Sequence, residues 1–155
     1  MFQKARGRTF DEFMIDEEIK SGARTVTETD VVNFARLSGD FQPEHMDDEY
    51  ARKGPFGERV AHGLLIMSMA TGLLNKTGVF EGTSIAILET TSRFIKAVKF
   101  GDTIRAIQKI VAKKETSKPD RGVLSTRITV LNQNEEVVLE TDLVVLLYRR
   151  GFEPN

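Results

Sequence analysis

The stretch "LLIMSMATGLL" (64–74) has no charged residue and no polar stripe. A helix that is apolar nearly all round must be covered on most of its sides. It is also well short of the ~20 residues needed to cross a bilayer. The rest of the chain therefore has to wrap it. The second half supplies the wrapping: "SIAILETTSRFI" (84–95), "TIRAIQKIVAKKE" (103–115), "VLSTRITVLN" (123–132) and "EVVLETDLVVLLYRR" (136–150) are rich in β-branched residues and read as strands. "KPDRG" (118–122) and "NQNE" (132–135) have the composition of hairpin turns, and "KAVKFGD" (96–102) is a longer join. Helices first and then an antiparallel meander is an α+β pattern, with one apolar helix lying on a curved sheet.

The size and composition suit one domain over 1–155. The chain has 155 residues, 40% of them hydrophobic, with no repeat, low-complexity tract or linker. A formal net charge of -1 leaves no basic excess to neutralise phosphates, so nucleic acid is not expected as a partner. The absence of cysteine excludes disulfides, thiolate metal sites and a cysteine nucleophile. The opening "MFQKARGRTFDEF" shows neither an apolar core nor a cleavage site of an export signal. The expectation is a soluble, cytoplasmic protein.

In the first half, residues 10–27 alternate loosely and suit an extended lead-in. Thr27 is placed to cap a helix over 28–37, with Asp30 as its capping-box partner and Val31, Phe34 and Ala35 on one face. Gly39 stops it as a left-handed C-terminal residue. A second short helix is expected over 47–52, because Asp47, Asp48 and Glu49 suit the positive end of a helix dipole.

Between the two helices lies "SGDFQPEHMDDEYA" (38–51), which holds an aspartate, a proline and one of two histidines. Gly39 permits a sharp turn, Pro43 fixes its own φ, and Gln42 is pushed into an extended conformation. Asp40 and His45 are thus held from two points. Proton transfer needs such a fixed pair, and imidazole titrates near neutrality. Further on, "RVAHGLL" (59–65) delivers Gly63 to the first turn of the buried helix. First-turn N–H groups lack intrahelical partners and carry partial positive charge. With no side chain at Gly63, a carbonyl oxygen can approach that N–H. Gly63 equally eases helix–sheet packing.

"FARLSGDFQPEHMDDEYA" (34–51) resembles the hydratase-2 motif of the MaoC-like family, the (R)-specific enoyl-CoA hydratases: S/T-G-D-x-N-P-x-H after an aromatic residue. "GERVAHGLLIMSMATGLL", "RTVTETDVVNFARLSGD" and "RFIKAVKFGDTI" (93–104) are similar to flanking family segments. The resemblance implies a hotdog fold, with a long central helix wrapped by an antiparallel sheet, in a homodimer or higher homo-oligomer. It implies Asp40 and His45 as the catalytic pair and Gly63 as donor to the thioester carbonyl, with Gly39, Gln42 and Pro43 supporting the loop. The implied reaction is reversible syn addition of water to a trans-2-enoyl-CoA, giving an (R)-3-hydroxyacyl-CoA. No metal or other cofactor is required, since coenzyme A belongs to the substrate. Two positions depart from the family pattern: Gln42 stands where asparagine is usual, and Ala97 where proline is expected. An extra methylene shifts an amide by about one C–C bond, so Gln42 bears on full hydratase activity.

Other residues read more plainly. His62, beside Gly63, suits a cap or packing role rather than a base. The acids of "EHMDD" (44–48) suit a helix N-terminus rather than a metal site, with no second histidine at ligand spacing along the chain. Met67 and Met69 fill the core. Arg93, Lys96, Lys99, Lys113, Lys114 and Arg121 discourage strand aggregation or meet coenzyme A phosphates. Two alternatives stand beside the hydratase: a hotdog acyl-CoA thioesterase, disfavoured because 64–74 contains no acid, and a non-catalytic acyl-CoA-binding hotdog protein.

Overall fold

A computed structural model describes residues 7–152 and 154. The first six residues, with the start of the segment read for an export signal, lie outside them. Five strands form one antiparallel sheet in the order β1-β3-β4-β5-β2. They are β1 (Glu18–Thr25), β2 (Ser84–Phe94), β3 (Thr103–Glu115), β4 (Arg121–Leu131) and β5 (Val137–Tyr148). The helices are α1 (Glu28–Ser38), α2 (Pro43–Met46), α3 (Asp48–Lys53) and α4 (Gly63–Asn75).

The apolar segment is α4, and it buries Leu65, Ile66, Met69, Ala70, Leu73 and Leu74. Each large side chain among them contributes about 1.5–3 kcal/mol on leaving water. The strands meet α4 with every second residue. Inward positions are Ile104, Ala106, Gln108 and Ile110 on β3; Leu124, Thr126, Ile128 and Val130 on β4; and Leu139, Thr141, Leu143, Val145 and Leu147 on β5. Phe10 closes the sheet's outer end by lying on Gly122, where a Cβ would sit 2.5 Å from the ring.

The meander holds only for β3-β4-β5. β2 does not pair with β3, its neighbour in sequence, but runs along β5 at the far edge. The lead-in is more structured than an extended segment. A 3-10 turn, Phe10–Glu12, carries a Thr9–Glu12 capping box, and Glu18–Thr25 is a full edge strand on β3. The long join 96–102 explains the jump: it crosses the end of α4 and bridges Val60 to Lys99.

α1 begins at the Thr27–Asp30 capping box and ends at Gly39, whose φ of 81° is left-handed. Asp47 is not the first helical residue but the cap of α3, accepting from the N–H groups of Glu49 and Tyr50. The segment before it is not a loop. Pro43 opens the helical turn α2, so His45 stands on a helix.

Candidate active site

Three segments meet at the N-terminus of α4. The 39–42 turn carries Asp40, α2 carries His45, and the strand-like 59–62 segment carries His62 into Gly63. One atom from each of Asp40, His45 and His62 lies within 4.8 Å of the others.

His45 is held through its Nδ1, 2.7 Å from the Val60 carbonyl oxygen. A carbonyl only accepts, so Nδ1 carries the hydrogen and Nε2 is left with a lone pair. Asp40 is ordered locally: its Oδ1 accepts from the Gln42 N–H at 3.3 Å, and its own N–H donates to Ser38 Oγ at 3.2 Å. The Gln42 side chain makes no hydrogen bond among the described residues and does not orient His45. Its backbone does the work, since the Gln42 carbonyl accepts from the His45 N–H at 3.0 Å.

His62 is more than a packing residue. It is 2% exposed and occupies the cap position of α4 without capping it by its side chain. Its ring stacks on His45 with centroids 3.9 Å apart, and tilts against Phe34 at 4.9 Å. Nε2 donates to the Asp40 backbone carbonyl at 2.9 Å, and Nδ1 is buried without a partner. No spacing rule reveals this contact, because it is made by the fold between two sequence-distant segments. Asp40, His45 and His62 thus gather one carboxylate and two imidazoles at the amino end of α4, at a proximity that suits either proton transfer or metal ligation.

Arg59 is a second residue that nothing in the sequence singles out. It is 9% exposed. Its Nε donates to the His45 carbonyl at 2.8 Å, and its Nη1 meets Glu28 Oε1 at 2.6 Å. The guanidinium also lies over the Phe100 ring, 4.9 Å from its centroid. It therefore ties α2 to the start of α1 and to the 96–102 join.

Gly63 is the first residue of α4, and its N–H has no partner among the described residues. Its lack of a side chain has a steric cause as well: a Cβ there would lie 2.6 Å from Cδ1 of Phe94. Phe94, half-exposed at the end of β2, thus sits over the Gly63 backbone. A cavity of about 420 Å³ opens here, lined among others by Glu44, His45, Gly63, Phe94, Lys96 and Leu139. Of the basic residues named from the sequence, Lys96 alone lines it; Lys96 pairs with Glu136 at 2.5 Å. Lys99 pairs with Glu58, Arg121 with Asp120, and Lys113 donates to the Phe13 carbonyl.

A helix wrapped by one antiparallel sheet is the hotdog class of α+β protein. The MaoC like domain family model matches residues 12–132, and the chain belongs to that family of hydratases and dehydratases. It is 41% identical over 113 residues, 73% of its length, to protein MaoC of Klebsiella aerogenes, and spans 33% of that protein. It is 29% identical over 140 residues to the (R)-specific enoyl-CoA hydratase of Rhodospirillum rubrum, covering 87% of this chain and 92% of that one. A solved monoamine oxidase regulatory protein from Archaeoglobus fulgius superposes with a TM-score of 0.88 at 35% identity, covering 95% of this chain and 99% of the other.

Proposed function

We propose that this chain is an (R)-specific 2-enoyl-CoA hydratase, equally a 3-hydroxyacyl-CoA dehydratase in reverse. One observation carries the reading: a ligand atom each of Asp40 and His45 lies within 4.8 Å of the other, and His45 lines one cavity with Gly63, whose helix-end N–H has no partner among the described residues. The relative named as an (R)-specific enoyl-CoA hydratase supports it.

The thioester carbonyl oxygen would accept from Gly63 N–H. As water oxygen bonds to Cβ, the C=C electrons move toward Cα and charge grows on that oxygen. One well-placed donor of this kind is worth about 2.7–4 kcal/mol. One of Asp40 and His45 removes the proton from the attacking water, and the other delivers a proton to Cα on the same face. Water is thus added syn, with no metal and no cofactor beyond the coenzyme A of the substrate. The two groups act as a coupled pair. Lys96 stands at the mouth, where a phosphate of coenzyme A would pass.

The partner we propose is a second copy of the chain. β2 is an edge strand with Ile87, Leu88 and Phe94 about half-exposed, and Leu64 on α4 is 61% exposed beside it. An uncovered apolar edge of that length invites pairing. The described residues include no helix long and apolar enough to cross a membrane, and a cytoplasmic location is part of the proposal.

The test is hydration of crotonyl-CoA. Asp40→Asn and His45→Gln should each lower turnover by about 10²–10⁴-fold with the circular dichroism spectrum unchanged. Full activity in both variants refutes the assignment. Release of free coenzyme A from saturated acyl-CoA would instead favour a thioesterase. α4 offers no acid for one. Binding of thioesters without turnover would favour an acyl-CoA carrier.

A further inference from the structure

The site cavity has a neighbour. A hollow of about 190 Å³ is lined by Tyr50, Ala51, Pro55 and Glu58, and by Glu44 and Phe56, which line the site cavity as well. Local chemistry builds it. α3 presents Tyr50 and Ala51, and the chain turns back after Lys53. Gly54 N–H donates to the Ala51 carbonyl at 3.1 Å, and Gly57 N–H to the Gly54 carbonyl at 3.2 Å. Gly57 takes a left-handed φ of 72°, which glycine adopts without strain. Pro55 and Phe56 thereby return beside Tyr50. Val60 N–H donates to the Glu44 carbonyl at 3.2 Å, so α2 is fixed against the same turn.

The two hollows meet over Glu44 and Phe56. Phe56 is half-exposed and Glu44 partly exposed, so a chain leaving the first hollow passes over them into the second. The ends of this path differ in chemistry. The inner end of the site cavity is made by Ile66, Val138 and Leu139, all buried and apolar. An acyl chain belongs there, and the rest of a thioester has to leave on the exposed side. In the second hollow Tyr50 and Phe56 offer half-exposed rings. Glu58 is paired with Lys99 at 2.5 Å, whereas the Glu44 carboxylate makes no hydrogen bond or ion pair among the described residues. A free carboxylate takes N–H and O–H donors and repels anions. No Lys, Arg or His lines this hollow, and Lys96 in the site cavity is already paired with Glu136.

We propose that this hollow is a subsite for the pantetheine arm of the thioester. Glu44 accepts from the amide N–H and hydroxyl of the arm's pantoyl end, and Tyr50 and Phe56 pack on its dimethyl carbon. This rests on the hydratase reading and deepens it. The arm is neutral, rich in donors and partly apolar, and it starts at the sulfur beside the carbonyl held at Gly63. A hydrocarbon chain would leave the carboxylate uncovered, and a phosphate would be repelled by it. The same arm is carried by coenzyme A and by acyl carrier proteins. Recognition therefore falls on the arm and not on the nucleotide end.

The experiment compares kcat/KM for the crotonyl thioesters of N-acetylcysteamine, which stops short of the pantoyl end, of pantetheine and of coenzyme A. The wild type should gain about tenfold from the first to the second, and less from the second to the third. The gain should fall on KM, because the arm is held alike in the ground and transition states. Tyr50→Ala and Glu44→Met should each cut the first step by about threefold or more. Taking the ratio within each variant cancels any loss common to all thioesters. A wild-type first step near one overturns the proposal, as does a step that survives in both variants or a larger gain between pantetheine and coenzyme A. Repeating the series with octenoyl thioesters tests the other occupant: a Tyr50→Ala protein that alters acyl-length preference and keeps the arm step overturns the proposal too. The wild-type series decides alone if the variants do not fold. Turnover indifferent to the arm overturns this inference only; no turnover of any thioester overturns the hydratase reading and this with it.

Discussion

Replacing His62 by phenylalanine separates what its ring does from what its N–H does. Phenylalanine keeps an aromatic face against His45, now 3.9 Å from the His62 centroid, and against Phe34 at 4.9 Å. It removes the 2.9 Å bond from Nε2 to the Asp40 carbonyl. Leaving that carbonyl without its donor costs about 1–3 kcal/mol. The same substitution deletes Nδ1, a buried acceptor with no partner, and so recovers a penalty of the same order, ~1–3 kcal/mol. The two offset, and the net change in stability should stay within about 1 kcal/mol, or roughly 2–4 °C in Tm for a chain of this size. Catalysis has no such compensation. Released from His62, the Asp40 backbone swings free at one end, and a displacement of about 1 Å costs on the order of 100-fold. The assay pairs a thermal melt with steady-state hydration of crotonyl-CoA, expecting kcat to fall about 10–100-fold at nearly constant KM. His62→Gln, which keeps a donor but loses the stack, should recover part of the loss. Unchanged kcat in a folded His62→Phe protein would show that the Asp40 turn needs no anchor, and the reasoning would be wrong.

Two further outcomes follow from edges of the structure rather than its centre. The protein should sediment as a dimer, and Leu88→Lys on the β2 edge should shift it to a monomer; a wild-type mass of one chain refutes the pairing. The Asp11 carboxylate is held below its ordinary range by the hydrogen bond from Arg149, then by the Arg150 N–H. A lowered folded pKa gives stability that is present above the unfolded value of 3.8 and lost as pH falls through the folded one. Asp11→Asn should therefore destabilise the protein by about 0.2–1 kcal/mol at neutral pH, since the pair is part-exposed. The difference from wild type should vanish in acid melts, and a difference that persists there refutes the ion-pair account.

The fold was legible where local chemistry sets it. The apolar 64–74 run, the Thr27–Asp30 box and Gly39 each state their conformation in two or three residues, and the structure places α4, the α1 cap and a φ of 81° accordingly. Strand existence was legible from β-branched runs, but strand order was not. β2 and β3 are consecutive, yet their partners are β5 and the β1–β4 pair. Nothing in either segment's composition says which edge it joins; that depends on how far 96–102 must travel around the end of α4. The strand Glu18–Thr25 reads from the sequence only as part of an extended lead-in, for a related reason: its exposed residues outnumber its buried one, Ile19, as befits a sheet edge.

The site divides along the same line. Asp40 and His45 were visible as an acid and an imidazole flanking Pro43, but their placement depends on Val60, which holds the His45 ring, and on His62, which holds the Asp40 carbonyl. His62 and Arg59 act on that turn from a segment that reaches it only through the Val60–Lys99 bridge and the α4 cap. Their side chains are those of ordinary surface residues until burial changes what they must do. An arginine left 9% exposed has to satisfy its donors inside the protein, and the His45 carbonyl and Glu28 are what it finds. Gln108 left a trace in the strand pattern, as Thr126 and Thr141 did on β4 and β5. In "TIRAIQKI" every second residue is Ile, Ala, Gln, Ile, so a single amide interrupts an apolar row at period two. A polar residue at an inward position has to find its partners inside the protein, and Gln108 finds the Thr126 hydroxyl at 2.9 Å, which in turn donates to the Leu143 carbonyl.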